Sequence, residues 1–97
     1  MRAIEFHPEA DGELLEAQAW YRDRSEVAAQ AFILEIDRAI RTIAEAPERW
    51  PEMRRGERRF LLSRFPYSIL YRIRSSDVFI TAVAHQKRRP GYWRSRK

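Results

Sequence analysis

Ninety-seven residues allow one modest core, and a content of 44% hydrophobic and 12% aromatic residues is enough apolar material to offset the entropy of folding, so a second domain and global disorder are both excluded. With no cysteine, a disulfide framework and a thiolate metal site are excluded too, and two histidines do not make a structural zinc site, so stability has to come from packing. Charge is split by position: residues 1–48 hold 11 acids against 5 arginines and residues 49–97 hold 14 basic residues against 3 acids, balances of −6 and +11 that make up the net +5.

Arg2 to Phe6 alternates, with Ile4 and Phe6 on one side, and predicts a short first strand ended by His7-Pro8. Pro8 suits a helix's first turn, where its missing N–H is not needed, and Glu9, Asp11 and Glu13 put negative charge at the positive end of the helix dipole. Ala10, Leu14, Ala17 and Tyr21 then recur at helical spacing, widened by Leu15 and Trp20. Asp23 followed three residues later by Glu26 has the form of a capping box opening a second helix, whose stripe is Ala28, Phe32, Ile36, Ile40 and Ile43 and which Pro47 stops. Two helices this close in sequence predict a helical hairpin.

Residues 47–58 mix proline with charge and predict a loop anchored by Trp50. Phe60 to Ser63 predicts a strand, Phe65-Pro66 a turn, and Tyr67 to Arg74 a strand with Ile69, Tyr71 and Ile73 on one face. After a turn at Ser75-Ser76-Asp77, Val78 to His85 alternates, with Phe79, Thr81, Val83 and His85 opposing Val78, Ile80, Ala82 and Ala84. Strands joined by short turns favour an antiparallel meander, so the expected fold is a single α+β domain over residues 1–97, a hairpin of helices on a small, mainly antiparallel sheet. Residues 86–97 form a basic tail. No apolar run approaches the roughly 20 residues that span a bilayer, and Met1 to His7 has no apolar leader core, so the expectation is a cytoplasmic protein without membrane contact.

The order strand, helix, helix, three strands, with its local words, resembles the RelE/ParE toxins of bacterial type II toxin–antitoxin systems, the plasmid-stabilisation type. The words are Phe6-His7-Pro8-Glu9-Ala10, Trp20-Tyr21, Pro47 to Pro51, Phe65-Pro66-Tyr67-Ser68-Ile69-Leu70-Tyr71, and Ala82-Val83-Ala84-His85 leading to Arg88, Pro90, Gly91, Tyr92 and Trp93. The resemblance implies a β-α-α-β-β-β fold and a growth-arresting toxin neutralised by a cognate antitoxin in a hetero-oligomer, with no cofactor. Members of the group divide between RelE-like cleavage of mRNA on the ribosome and ParE-like poisoning of DNA gyrase, and fold alone does not choose.

Metal-free RNA cleavage needs a base for the 2′-OH, cations for the phosphorane and an acid for the leaving oxygen. His85, Arg88, Tyr92 and Glu57 are the candidates in that case, with His85 the acid/base because imidazole titrates near neutrality. RNA-cleaving members commonly carry an arginine after the tyrosine of the penultimate strand's opening word, where this chain has Ser68; Arg64 and Arg72 are the alternatives for that space, and Arg54, Arg55, Arg58 and Arg59 supply basic residues ahead of the sheet. The residues therefore lean to a ParE-like gyrase inhibitor that is no enzyme, the alternative being a RelE-like endoribonuclease and a further one a non-toxic nucleic-acid-binding module.

The tail holds six cations and no acid, with adjacent aromatics, a composition suited to phosphate contact and base stacking. Its target-binding candidates are Arg88, Arg89, Tyr92, Trp93 and Arg94; the other reading is a solvated terminus with Tyr92 and Trp93 pinned back on the sheet. For the antitoxin, expected to contribute an acidic segment that folds on binding, the candidates are Trp20 as apolar anchor and Arg64, Arg72 and Arg74 for carboxylates, or else these arginines are ordinary solvated residues.

Overall fold

The computed structural model describes residues 1–97. The chain runs β1 (Ala3–Phe6), α1 (Pro8–Arg22), α2 (Glu26–Glu45), a 3₁₀ turn at Pro47–Arg49, β2 (Glu57–Leu61), β3 (Tyr67–Ile73) and β4 (Asp77–His85), the expected order. Pro8 opens α1, and the His7 side chain caps it by accepting the Glu9 N–H through Nδ1 at 3.0 Å. The residues α1 buries fully are Ala10 and Ala17, small enough for its backbone to lie close over β4.

The second helix starts differently from the expectation. Asp23 still has helical dihedrals and its N–H donates to Ala19 O, so it closes α1; Ser25, extended at φ −166°, accepts the Ala28 N–H at 3.2 Å and is the cap of α2. The apolar face is also rotated slightly, with Ala29 and Ala39 buried beside Phe32, Ile36 and Ile43, and Ala28 and Ile40 at its margin. Phe32 is completely buried against the rings of Tyr21, Phe65 and Tyr67 at 5.2–5.3 Å. Pro47 ends the helical region, and its carbonyl accepts the buried Tyr71 hydroxyl at 2.7 Å. No helix is long and apolar enough to cross a membrane.

The sheet order is β1-β4-β3-β2. The last three strands form the antiparallel meander, while β1 adds to β4 in parallel, and the helical hairpin carries the chain from β1 at one edge of the sheet to β2 at the other. β2 begins three residues before the expected Phe60, because Arg55 and Gly56 adopt φ 54° and 78° and turn the chain so that Glu57 already pairs opposite Arg72. Trp50 anchors the preceding loop on Phe60, ring centres 4.8 Å apart.

The expected alternation of β4 is broken in its middle. Tyr71 pairs with Ile80 but Leu70 with Ala82, leaving Thr81 as the extra residue of a bulge. Val78, Ile80 and Val83 therefore share the helix-facing core with Ile69 and Tyr71, while Ala82 and Ala84 turn with Leu70 to the opposite face. That second face is also covered: Trp93 packs on Leu70, Ala82 and Ala84, so seven consecutive residues of β4 are buried.

Candidate functional site

β4 outlasts its neighbour. β1 pairs with it only as far as Phe6 opposite Ile80, with one more bond from His7 N–H, and beyond this the edge of β4 presents Thr81 O and Val83 N–H to whatever lies beside it. Such bare edge groups need partners. Glu13, one turn into α1, accepts the Val83 N–H on Oε1 at 2.9 Å, and Arg96 donates to Thr81 O at 3.0 Å.

Glu13 and Arg96 also bind each other side by side, Nη1 to Oε1 at 2.9 Å and Nη2 to Oε2 at 3.0 Å, the two-pronged geometry in which a guanidinium pairs best. Both are nearly sequestered, with side chains 8% and 12% exposed for Arg96 and Glu13. The Tyr92 hydroxyl donates to Glu13 Oε2 at 2.6 Å, and Arg88 lies 3.5 Å from the same oxygen while stacking 3.8 Å above the Tyr92 ring. Burial, and then the hydrogen bond to the Glu13 carboxylate, push the Tyr92 phenol far above its ordinary value. Burial works against the Arg96 charge, but Glu13 outweighs it and holds the guanidinium more firmly protonated than usual. A second anchor lies on the sheet's other face, where the Trp93 indole N–H donates to Glu57 Oε2. Glu57 is 5% exposed, and its Oε1 has no partner.

Beside this cluster, between α1 and the ends of β3 and β4, is a cleft of about 400 Å³ walled by Trp20, Tyr21, Tyr67, Glu16, His85 and Arg88. His85 is half-buried, its ring edge-on to Tyr67 at 5.0 Å, and its Nδ1 accepts the Lys87 N–H at 3.1 Å, which assigns the proton of the neutral ring to Nε2. Burial raises the Tyr67 phenol above its ordinary value, as do the nearby Tyr21 and Glu16. The cleft thus offers one imidazole, one guanidinium and the exposed Glu16 carboxylate among aromatic walls, a surface suited to gripping a side chain or base.

The residues singled out in the sequence are distributed as follows. His85, Arg88 and Tyr92 come together around the cleft and Glu13, whereas Glu57 is removed from them, buried beneath the sheet's outer face as the acceptor for Trp93. Trp93, 7% exposed, is a packing residue, so the pinned-back reading of the tail describes it; Arg89 and Arg94 point to solvent. Trp20 is half exposed, with the Arg24 guanidinium 3.6 Å over its ring. The three arginines expected to meet antitoxin carboxylates each have an internal partner: Arg64 with Glu35 at 3.4 Å, Arg72 with Arg96 O at 2.6 Å, and Arg74 bidentate with Asp77 at 2.7 Å. Sequence reasoning overlooked Glu13 and Arg96 as partners, since nothing local relates residues 83 apart. No group of three or more His, Cys, Asp or Glu side chains is placed to hold a metal ion.

The family model for the ParE toxin of the type II toxin–antitoxin system parDE matches residues 4–90, which takes in both helices, all four strands and the start of the tail. Among curated proteins, none matches in sequence. Among solved structures, a chain of the chromosomal ParDE TA system from P. aeruginosa superposes with a TM-score of 0.75 over 88% of this chain and 96% of that one, at 19% identity, a likeness of fold. With the family model covering nearly the whole domain, the chain belongs to the ParE toxin family of type II toxin–antitoxin systems.

Proposed function

We propose that this toxin arrests growth by binding rather than by hydrolysis, with DNA gyrase as its target and the outward cations of the tail, Arg89 and Arg94, in the contact. The observation that supports a binding mode is the internal engagement of the groups that RNA cleavage would require. Glu57 is buried on Trp93, the Tyr92 hydroxyl is bonded to Glu13, and Ser68, at the position where RNA-cleaving members commonly carry arginine, is buried. Of the other proton-carrying groups on the cleft, the Tyr21 and Tyr67 phenols are pushed above their ordinary values by burial and Glu16 is exposed, and none is hydrogen-bonded to His85, whereas general acid–base cleavage needs two groups acting together. Neutralisation is by a cognate antitoxin with an acidic segment that folds on the toxin, Trp20 providing an apolar foothold at the cleft mouth; the place of action is the cytoplasm.

A RelE-like ribonuclease is the second reading, and the observation that favours it is the shared position of His85 and Arg88 on the cleft. Incubating the purified chain separately with gyrase and supercoiled DNA and with ribosome-bound mRNA separates the two. Trapped gyrase–DNA cleavage complexes with intact mRNA, and a His85→Ala variant that still arrests growth, are the expected results. Codon-phased mRNA cuts that disappear in His85→Ala would overturn the gyrase assignment.

A further inference from the structure

Six cations within twelve residues repel one another, yet the tail is folded back compactly rather than extended. Besides the Trp93 anchor on Glu57 and the bonds of Arg96 to Thr81 O and from Arg72, one carboxylate does most of the gathering. Glu13 receives Arg96 twice, Tyr92 once and Arg88 at ion-pair distance, so three tail side chains converge on a single residue of α1. Trp93 fixes the tail to the sheet's outer face, and the Glu13 cluster fixes it around the edge of β4 on the helix side. Between the anchors Gly91 has φ +85°, a backbone conformation that L side chains rarely adopt, and the flexible end of Arg94 lies over it. The two outward arginines sit beside anchored neighbours. Arg89 follows Arg88, and Arg94 lies between Trp93 and Arg96, so the direction in which each emerges is set by side chains that Glu13 and the sheet hold.

We infer that Glu13 is the positioning residue of the target-binding tail, its carboxylate gathering Arg88, Tyr92 and Arg96 so that Arg89 and Arg94 are presented together on the outside. The inference rests on the reading that the tail contacts the target. Trp93 alone would keep the tail near the sheet but would not order the segment on either side of it.

The test uses the full chain with Glu13→Gln, which keeps the shape and removes the charge, beside Arg96→Gln, the double variant, and Asp11→Asn as an exposed control on the same helix. Two readouts are taken: release of the Ser95–Lys97 tripeptide by trypsin, followed by mass, and growth arrest on induction together with gyrase binding. Glu13→Gln is expected to accelerate cleavage after Arg94 by about tenfold or more, the factor that loss of a charge-assisted hydrogen bond corresponds to, while cleavage within α2 stays slow. Arrest and gyrase affinity should fall by a similar factor, and the double variant should fall well short of the sum of the two single effects, because the Glu13–Arg96 pair is lost in both. Unchanged tripeptide release in both single variants would overturn the inference, as would a freed tail with undiminished arrest. If the wild-type chain arrests growth without binding gyrase, the gyrase assignment fails, and the positioning role is decided by the arrest and cleavage readouts alone. If Glu13→Gln is cleaved throughout, Arg96→Gln carries the decision.

Discussion

Trp93→Phe separates what the indole does as a hydrophobic group from what it does as a donor. The phenyl ring stays against Leu70, Ala82 and Ala84, and the N–H that Glu57 Oε2 accepts is lost. Since Oε1 already has no partner, the carboxyl group would then be buried with neither oxygen bonded. Leaving a buried acceptor orphaned costs about 1–3 kcal/mol, and the smaller ring adds roughly 1 kcal/mol of lost burial and packing. A total near 3 kcal/mol in a domain of this size lowers Tm by roughly 12–24 °C. Adding Glu57→Met to Trp93→Phe removes both polar partners, and the double variant should regain the orphan penalty, giving a coupling of about 1–3 kcal/mol in a four-way cycle of thermal or urea unfolding. Effects that add to within about 0.5 kcal/mol would refute the claim that the N–H to carboxyl bond, rather than the ring, makes this contact specific. A practical consequence is that loss of growth arrest in Trp93→Ala reports loosening of the fold, because the side chain is not available to a target.

Arg89→Glu with Arg94→Glu reverses two exposed charges and gives up only the resting of the flexible Arg94 end over Gly91, so stability should shift by no more than surface substitutions do, about 0.5 kcal/mol, while growth arrest is relieved; a fully toxic double variant would remove the tail from the target contact. At the junction of α2 with the β2–β3 turn, burial pushes the Glu35 carboxyl up, but the Ser63 and Arg64 amides, the Ser63 hydroxyl and the Arg64 guanidinium outweigh it and hold it below its ordinary 4.5. A carboxyl lowered in the folded state stabilises above its unfolded value, so the Tm gap between wild type and Glu35→Gln should be full at pH 7 and close as pH falls below 4.5; a gap that stays constant down to pH 3 would contradict this. Burial pushes the Tyr71 phenol up to about 12. The folded state then holds that proton more tightly than the unfolded chain, so the stability linked to it is present below pH 10 and is lost between 10 and about 12, a decline that Tyr71→Phe should flatten in alkaline melts.

Periodicity made most of the fold legible because each element faces one core. Phe32, Ile36 and Ile43 recur at helical spacing, and Ile69, Tyr71 and Ile73 at spacing two, and these sets do meet in one cluster. The misread features are those where a single residue changes the register. Asp23 and Ser25 both satisfy the composition of a cap, and which one serves depends on whether the chain leaves the first helix before or after Asp23, which the Ala19 carbonyl decides by accepting its N–H. The bulge at Thr81 has no marker in the sequence, since a run of small and β-branched residues looks apolar in either register; it becomes apparent only from the partner strand.

The tail was the hardest part to read, for an electrostatic reason. Counting six cations treats them as equivalent, but Arg88 and Arg96 face Glu13 while Lys87, Arg89, Arg94 and Lys97 face water. The single Glu13 carboxylate cancels one of these two charges at a distance, so the field offered to a partner is that of the four outward cations plus about one residual charge near the half-exposed Arg88. The acidic balance of residues 1–48 is reduced in the same way, by Glu13 and Glu35 turned inward on the basic half. A long-range attraction estimated from net charge therefore overstates the tail's pull on a polyanion, and what distinguishes this surface is the fixed spacing of Arg89 and Arg94. Salt should then weaken target binding with a slope between that of about two contacts, for Arg89 and Arg94 alone, and about four, for all the outward cations, and a slope of six would mean that binding frees Arg88 and Arg96 from Glu13.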